Sequence, residues 1–146
     1  TKKEIVVDFD YNQRKVIYSE KGREPVSISL NKKVYDPLAI AYAFRYHPVG
    51  AGGQKILPTS DGKKLIDVTV TVGKTEKVRV PFGSFQANDV VPNMKTLSGV
   101  FKKSPKGILR VWYSNDKRRI PVKISSKVVV GSFTAKLKNA KGLQRR

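Results

Sequence analysis

From Ile66 to Val72 the chain alternates strictly, with Ile66, Val68, Val70 and Val72 aliphatic and Asp67, Thr69 and Thr71 polar between them. Successive side chains of an extended chain point to opposite sides, so a period of two describes a strand with one face buried and the other wet. The same residues on a helix would scatter their aliphatic groups around the axis. Shorter copies of the pattern recur at Val26, Ile28 and Leu30 with Ser27 and Ser29 between them, and at Ile120, Val122, Ile124 and Val128. The chain is therefore built mainly from half-buried strands.

Turn chemistry separates these runs. Asp10 to Gln13 divides Glu4–Phe9 from Arg14–Ser19, and Ser60-Asp61-Gly62-Lys63 divides Gln54–Leu57 from Lys64–Val72, with Asp-Gly suited to a tight hairpin. Gly73 to Thr75 reads as a further turn into Glu76–Val80, and Pro81-Phe82-Gly83 as the corner before Phe85–Val91. Asn93 to Gly107 reads as an irregular connection, after which Ile108–Tyr113, Arg119–Val130 and Ser132–Leu137 make a last meander. Strands about 8 to 12 residues apart with turns between them point to a sheet that curls or closes.

One segment breaks the pattern. In Tyr35-Asp36-Pro37 the Asp36 carboxylate can cap free backbone amides, and proline suits the first helical position because it has no amide to leave unpaired. A helix is expected over Leu38–Tyr46, ended by His47-Pro48 and followed by a plain glycine turn at Gly50, Gly52 and Gly53. Leu38, Ile40, Ala41, Tyr42, Ala43 and Phe44 leave it almost no polar face, so it should be enclosed. The expected fold is mainly β: a curled antiparallel sheet or partly open barrel packed around one buried helix at about residues 37–46. Residues 1–138 form the single domain, and residues 139–146 form a basic tail.

Charge narrows the partners. Thirty Lys and Arg against eleven Asp and Glu give a net +19. Fourteen of those bases and a single acid, Asp116, fall within residues 101–146, which leaves +13 there. Arg119, Lys123 and Lys127 share one strand parity, and Lys136 and Lys138 repeat it on the next strand, which gives a candidate anion-binding face. A solvated face with lysines guarding a sheet edge explains the same pattern. Nucleic acid is the rival partner and ranks second, because stacking aromatics should be interleaved with the bases, whereas Phe133 is expected to point inward.

The chemistry of the chain points away from catalysis. It has no cysteine and one histidine, His47, which sits before Pro48 with no nearby serine in a strained elbow, and clustered His or Cys for zinc or copper are absent. Asp61, Asp67, Glu76 and Asp89 lack calcium-loop spacing. No run of about 18 apolar residues crosses a membrane. No enzyme, metal or cofactor is expected.

A set of short segments, in order and spacing, resembles a bacterial family called domain of unknown function 3108. They are Tyr35-Asp36-Pro37-Leu38 running into Tyr42, Phe44 and Arg45; Asp61-Gly62-Lys63; Val80-Pro81-Phe82-Gly83-Ser84-Phe85; Trp112-Tyr113-Ser114-Asn115-Asp116 with Arg118-Arg119-Ile120-Pro121-Val122; and Gly131-Ser132-Phe133-Thr134-Ala135-Lys136-Leu137. The resemblance spans nearly the whole chain. It implies the C-terminal part of a longer domain with several more strands upstream, export to the bacterial periplasm or envelope, and a sheet wrapped round a helix on a plan similar to lipoprotein carriers. It brings no reaction and no catalytic residues. The function expected from residues and resemblance together is a non-catalytic binding or carrier module for a lipid or other anionic envelope component. Leu38, Tyr42, Phe44, Tyr46 and Trp112 are candidates to line an apolar pocket, with missing upstream strands, a partner chain or a lipid tail covering the helix. The alternatives are a basic nucleic-acid-binding β domain and a purely structural interaction module.

Overall fold

The computed structural model describes residues 4–46, 49–93, 109–128 and 131–142. The expected helix end at His47-Pro48, nearly all of the connection expected over Asn93 to Gly107, and the last residues of the basic tail lie outside them.

Strands β1 (Ile5–Asp10), β2 (Lys15–Glu20) and β3 (Val26–Ser29) form a three-stranded antiparallel sheet. Strands β4 (Gln54–Ser60), β5 (Leu65–Val80), β6 (Gly83–Pro92), β7 (Leu109–Ser114), β8 (Pro121–Val128) and β9 (Gly131–Lys136) form a six-stranded antiparallel sheet in chain order. The expectation of a mainly β antiparallel chain with one short helix holds, as two sheets and without closure into a barrel. Tyr35 joins the sheets: its amide donates to the Pro58 carbonyl and its carbonyl accepts from Ser60, both at 2.9 Å. Val16, Leu30 and Val34 fill the small core between them, with Val7, Phe9 and Leu65 packed against it. The Asp61-Gly62 turn lies close on the first hairpin. A side chain on Gly62, which sits at φ 91°, would come within 2.9 Å of the Val7 methyls and 3.0 Å of the Tyr18 ring.

Helix α1 (Ala39–Tyr46) starts as its capping residues dictate, the Asp36 Oδ1 accepting from the amides of Leu38 at 2.8 Å and Ala39 at 3.0 Å. Ile40, Ala43 and Phe44 press onto Leu57, Val68, Val70, Val72, Val90, Val111 and Tyr113 of the six-stranded sheet. The helix is not enclosed as its composition suggests. It buries one stripe only, because a single sheet face can cover a single side of a helix.

The segment Gly73–Thr75 does not turn the chain. β5 runs through it for 16 residues as one strand, and the register passes from Val72↔Val90 to Thr75↔Asn88, so Gly73 and Lys74 together oppose Asp89. This β-bulge inverts parity. Val68, Val70 and Val72 face α1, whereas Glu76, Val78 and Val80 face the other side of the sheet. A second irregularity, between Trp112↔Lys123 and Tyr113↔Pro121, does the same to β8 and turns Val122 onto that other side. There a separate core of Val78, Ala87, Trp112, Ile120 and Val122 forms, covered in part by Leu137. The sheet curls around it until the Phe82 amide donates to the Leu137 carbonyl at 3.0 Å, while the Leu137 amide donates to Val122 at 2.9 Å.

Candidate binding surfaces

The structure does not gather the five candidate pocket residues. Phe44 is 4% exposed and sits in the core beneath α1, its ring 5.1 Å from that of Tyr113. Trp112 is 6% exposed but belongs to the second core, on the opposite face of the sheet. Leu38, Tyr42 and Tyr46 stand in solvent at 77, 65 and 78% exposure. The gap between α1 and the sheet, between Phe44, Val70, Val90 and Tyr113, measures about 20 Å³. That is room for about one water and none for an acyl chain. Among the described residues the space between α1 and the sheet holds no acyl chain, and what remains of the apolar site is an outward stripe. Positions 38, 42 and 46 are four apart, so these side chains stack along one side of the helix.

Arginines surround the C-terminal end of that stripe. The Arg119 Nη1 donates to the Arg45 carbonyl at 2.7 Å, capping an open helix carbonyl, and the Arg45 Nη2 donates to the Arg118 carbonyl at 3.1 Å. Among the described residues neither Arg45 nor Arg119 has a carboxylate within ion-pair distance, and the buried Nε of Arg45 has no acceptor. The neighbouring Tyr113 hydroxyl donates to the Ala41 carbonyl at 2.8 Å. Burial pushes that hydroxyl well above the ordinary phenol range against the pull of the Arg45 guanidinium, so it stays a protonated donor.

The expected anion-binding row is brought together in part. Lys123 and Lys136 are direct cross-strand partners, and Lys127 lies further along the same face opposite Ser132. Lys138 follows beyond the end of β9. Arg119 is not in the row: it precedes β8 in a turn, at φ 43°, half-buried against the helix end. Phe133, expected to point inward, is 57% exposed, and all six residues of the edge strand β9 are exposed with it.

Sequence reasoning missed how the chain's acids and bases are tied. The Lys123 Nζ stands 4.0 Å over the Trp112 ring, with the Arg110 guanidinium 5.6 Å from the same ring, and the indole N–H donates to Glu76. The Arg110 Nε donates to the Asp89 Oδ1 at 3.1 Å, and its Nη2 pairs with the other carboxylate oxygen. Alternation alone puts Arg110 and Trp112 on one face of β7, but only strand pairing sets Asp89 and Lys123 opposite Trp112, and only the bulge in β5 brings Glu76 to that face.

The arrangement can bind but shows no set of groups poised for chemistry among the described residues. The chain matches the model of a family described as "Protein of unknown function (DUF3108)" over residues 1–138. The chain belongs to this family. No curated protein and no solved structure matches it. The segments that carry the resemblance hold structural places throughout the DUF3108 domain: the Asp36 cap, the Gly62 turn, the Pro81-Phe82 corner and the Trp112–Asp116 strand end.

Proposed function

We propose that this DUF3108 domain is a non-catalytic binding module of the bacterial cell envelope that engages an anionic amphiphile at its surface. The observation that carries the reading is the exposed stripe Leu38, Tyr42 and Tyr46 ending against Arg45 and Arg119, two guanidiniums with no carboxylate partner among the described residues. Tyrosine rings, apolar in body and polar at the tip, suit the boundary between acyl chains and water, and each nearby cation adds about 1 kcal/mol of attraction to an anionic leaflet. The row Lys123, Lys127, Lys136 and Lys138 adds long-range attraction. The narrow gap between α1 and the sheet among the described residues favours surface docking over carriage of a tail beneath that helix. The non-catalytic part rests on four carboxylates that are engaged structurally: Asp36 by helix amides, Asp89 by Arg110, Glu76 by Trp112 and Asp116 by Arg118. The envelope location rests on the family resemblance.

The test is co-sedimentation with phosphatidylglycerol and phosphatidylcholine vesicles. The parent should bind the anionic vesicles, more weakly as salt rises, and Tyr42→Ser with Tyr46→Ser should lose binding by about tenfold or more. Undiminished binding by that variant would remove the stripe from the account. Stronger binding to a single-stranded oligonucleotide than to vesicles at matched charge would favour the nucleic-acid reading.

A further inference from the structure

The turn between β1 and β2 and the loop after β3 enclose an open cleft of about 600 Å³, lined by Tyr11, Arg14, Leu30, Asn31, Lys32 and Lys33. Its walls are tied together: the Leu30 amide donates to the Arg14 carbonyl at 2.7 Å, and the Tyr11 hydroxyl donates to the Val34 carbonyl at 2.8 Å. Arg14 is held at φ 51°, where non-glycine residues are uncommon, and the turn before it is closed by the Gln13 amide on the Asp10 carboxylate at 2.8 Å. Burial, then the Asp36 carboxylate and Tyr35, push the Tyr11 hydroxyl above its ordinary range. It keeps its proton and its hydrogen bond, which fixes the half-exposed ring as a wall. Leu30, 6% exposed, is the floor.

The lining carries three cations and no carboxylate. The Lys32 ammonium is held by Asp67 at 2.9 Å, and that of Lys33 lies 5.8 Å from the Tyr35 ring centre. The Arg14 guanidinium and the Asn31 amide have no partner among the described residues. A guanidinium fork and an exposed lysine lining one cleft suit a doubly charged oxyanion better than a single carboxylate. An aromatic wall and a free amide suit a ring bearing hydroxyls, and the volume lies in the usual range for small-molecule sites. We propose that this cleft binds a phosphorylated sugar, with the phosphoryl group on Arg14 and Lys33, the sugar ring against Tyr11 and a hydroxyl on Asn31. The site is separate from the α1 stripe and does not rest on membrane docking.

The full chain is titrated by amide NMR with glucose 6-phosphate, with inorganic phosphate, and with phosphatidylcholine vesicles carrying a phosphorylated glycolipid. Shifts should centre on Tyr11, Arg14, Asn31, Lys32 and Lys33, and the sugar phosphate should bind about tenfold or more tighter than inorganic phosphate. Arg14→Asn keeps a residue that tolerates the left-handed backbone, and Lys33→Gln changes an exposed loop side chain, so both should fold and lose about tenfold in affinity. Shifts with the free sugar phosphate identify a soluble ligand; shifts with the glycolipid vesicles alone place the same chemistry on a membrane headgroup. No shift in any arm, equal affinity for inorganic phosphate, or full binding by both variants overturns the proposal.

Discussion

The Trp112 indole N–H donates to the Glu76 carboxylate at 2.6 Å, across 36 residues of sequence and onto the face of the sheet away from the helix. The pair exists because the bulge at Gly73-Lys74 turns Glu76 onto the Trp112 side. A hydrogen bond to a charged group contributes about 1.5 to 3 kcal/mol, and leaving the indole N–H unpaired in the second core adds its desolvation cost. Glu76→Leu should therefore lower the urea midpoint followed by indole fluorescence, and Glu76→Gln, which retains an acceptor, should lower it less. Equal midpoints for parent and Glu76→Leu would show that the bond contributes nothing.

Asp36 accepts the two amides that open α1. Asp36→Ala should cost about 0.5 to 2 kcal/mol of unfolding free energy, while Asp36→Asn, also a good cap, should stay near the parent. The check is a denaturant series on the three proteins. A cost in Asn as large as in Ala would shift the effect from capping to charge.

Asp116 makes one turn depend on pH. Burial alone would raise its carboxyl, but the hydrogen bond from the Arg118 side chain, then those from the Ser114 hydroxyl and the Arg118 amide together with the Arg118 charge, hold it below the usual carboxylate range. A depressed folded value means that the contribution is present above the unfolded value, about 3.9, and is lost as pH falls through the folded one. The midpoint difference between parent and Asp116→Asn should thus be constant near neutrality and close below about pH 4. A difference that persists unchanged to pH 2 would contradict it.

Lys123 and Lys136 oppose each other across β8 and β9, and like charges in that position are unfavourable. Lys136→Glu should raise the urea midpoint at low salt, with the gain shrinking near about 0.5 M salt, where the screening length falls to a few ångströms. The same variant should bind phosphatidylglycerol vesicles more weakly. Higher stability with unchanged vesicle binding would leave the lysine row as a solvated edge.

Strand identity, the Asp-containing hairpin turns and the helix start were legible because each depends on neighbours in sequence. Alternation from Ile66 to Val72 fixes a half-buried strand, Asp-Gly fixes a hairpin tip, and Asp36-Pro37 opens the helix whatever lies around it. Family membership was legible for the same reason, as a series of local motifs. Which face each strand buries was decided by tertiary structure, since Gly73 to Thr75 serves a turn and a bulge equally well and only pairing with β6 keeps β5 running. One extra residue there, and another at Val122, turn Val78 and Val122 to the Trp112 side of the sheet, away from the core under Phe44. The fate of the apolar helix was equally non-local. Its composition offers several sides for burial, the sheet covers one, and so Leu38, Tyr42 and Tyr46 remain in water.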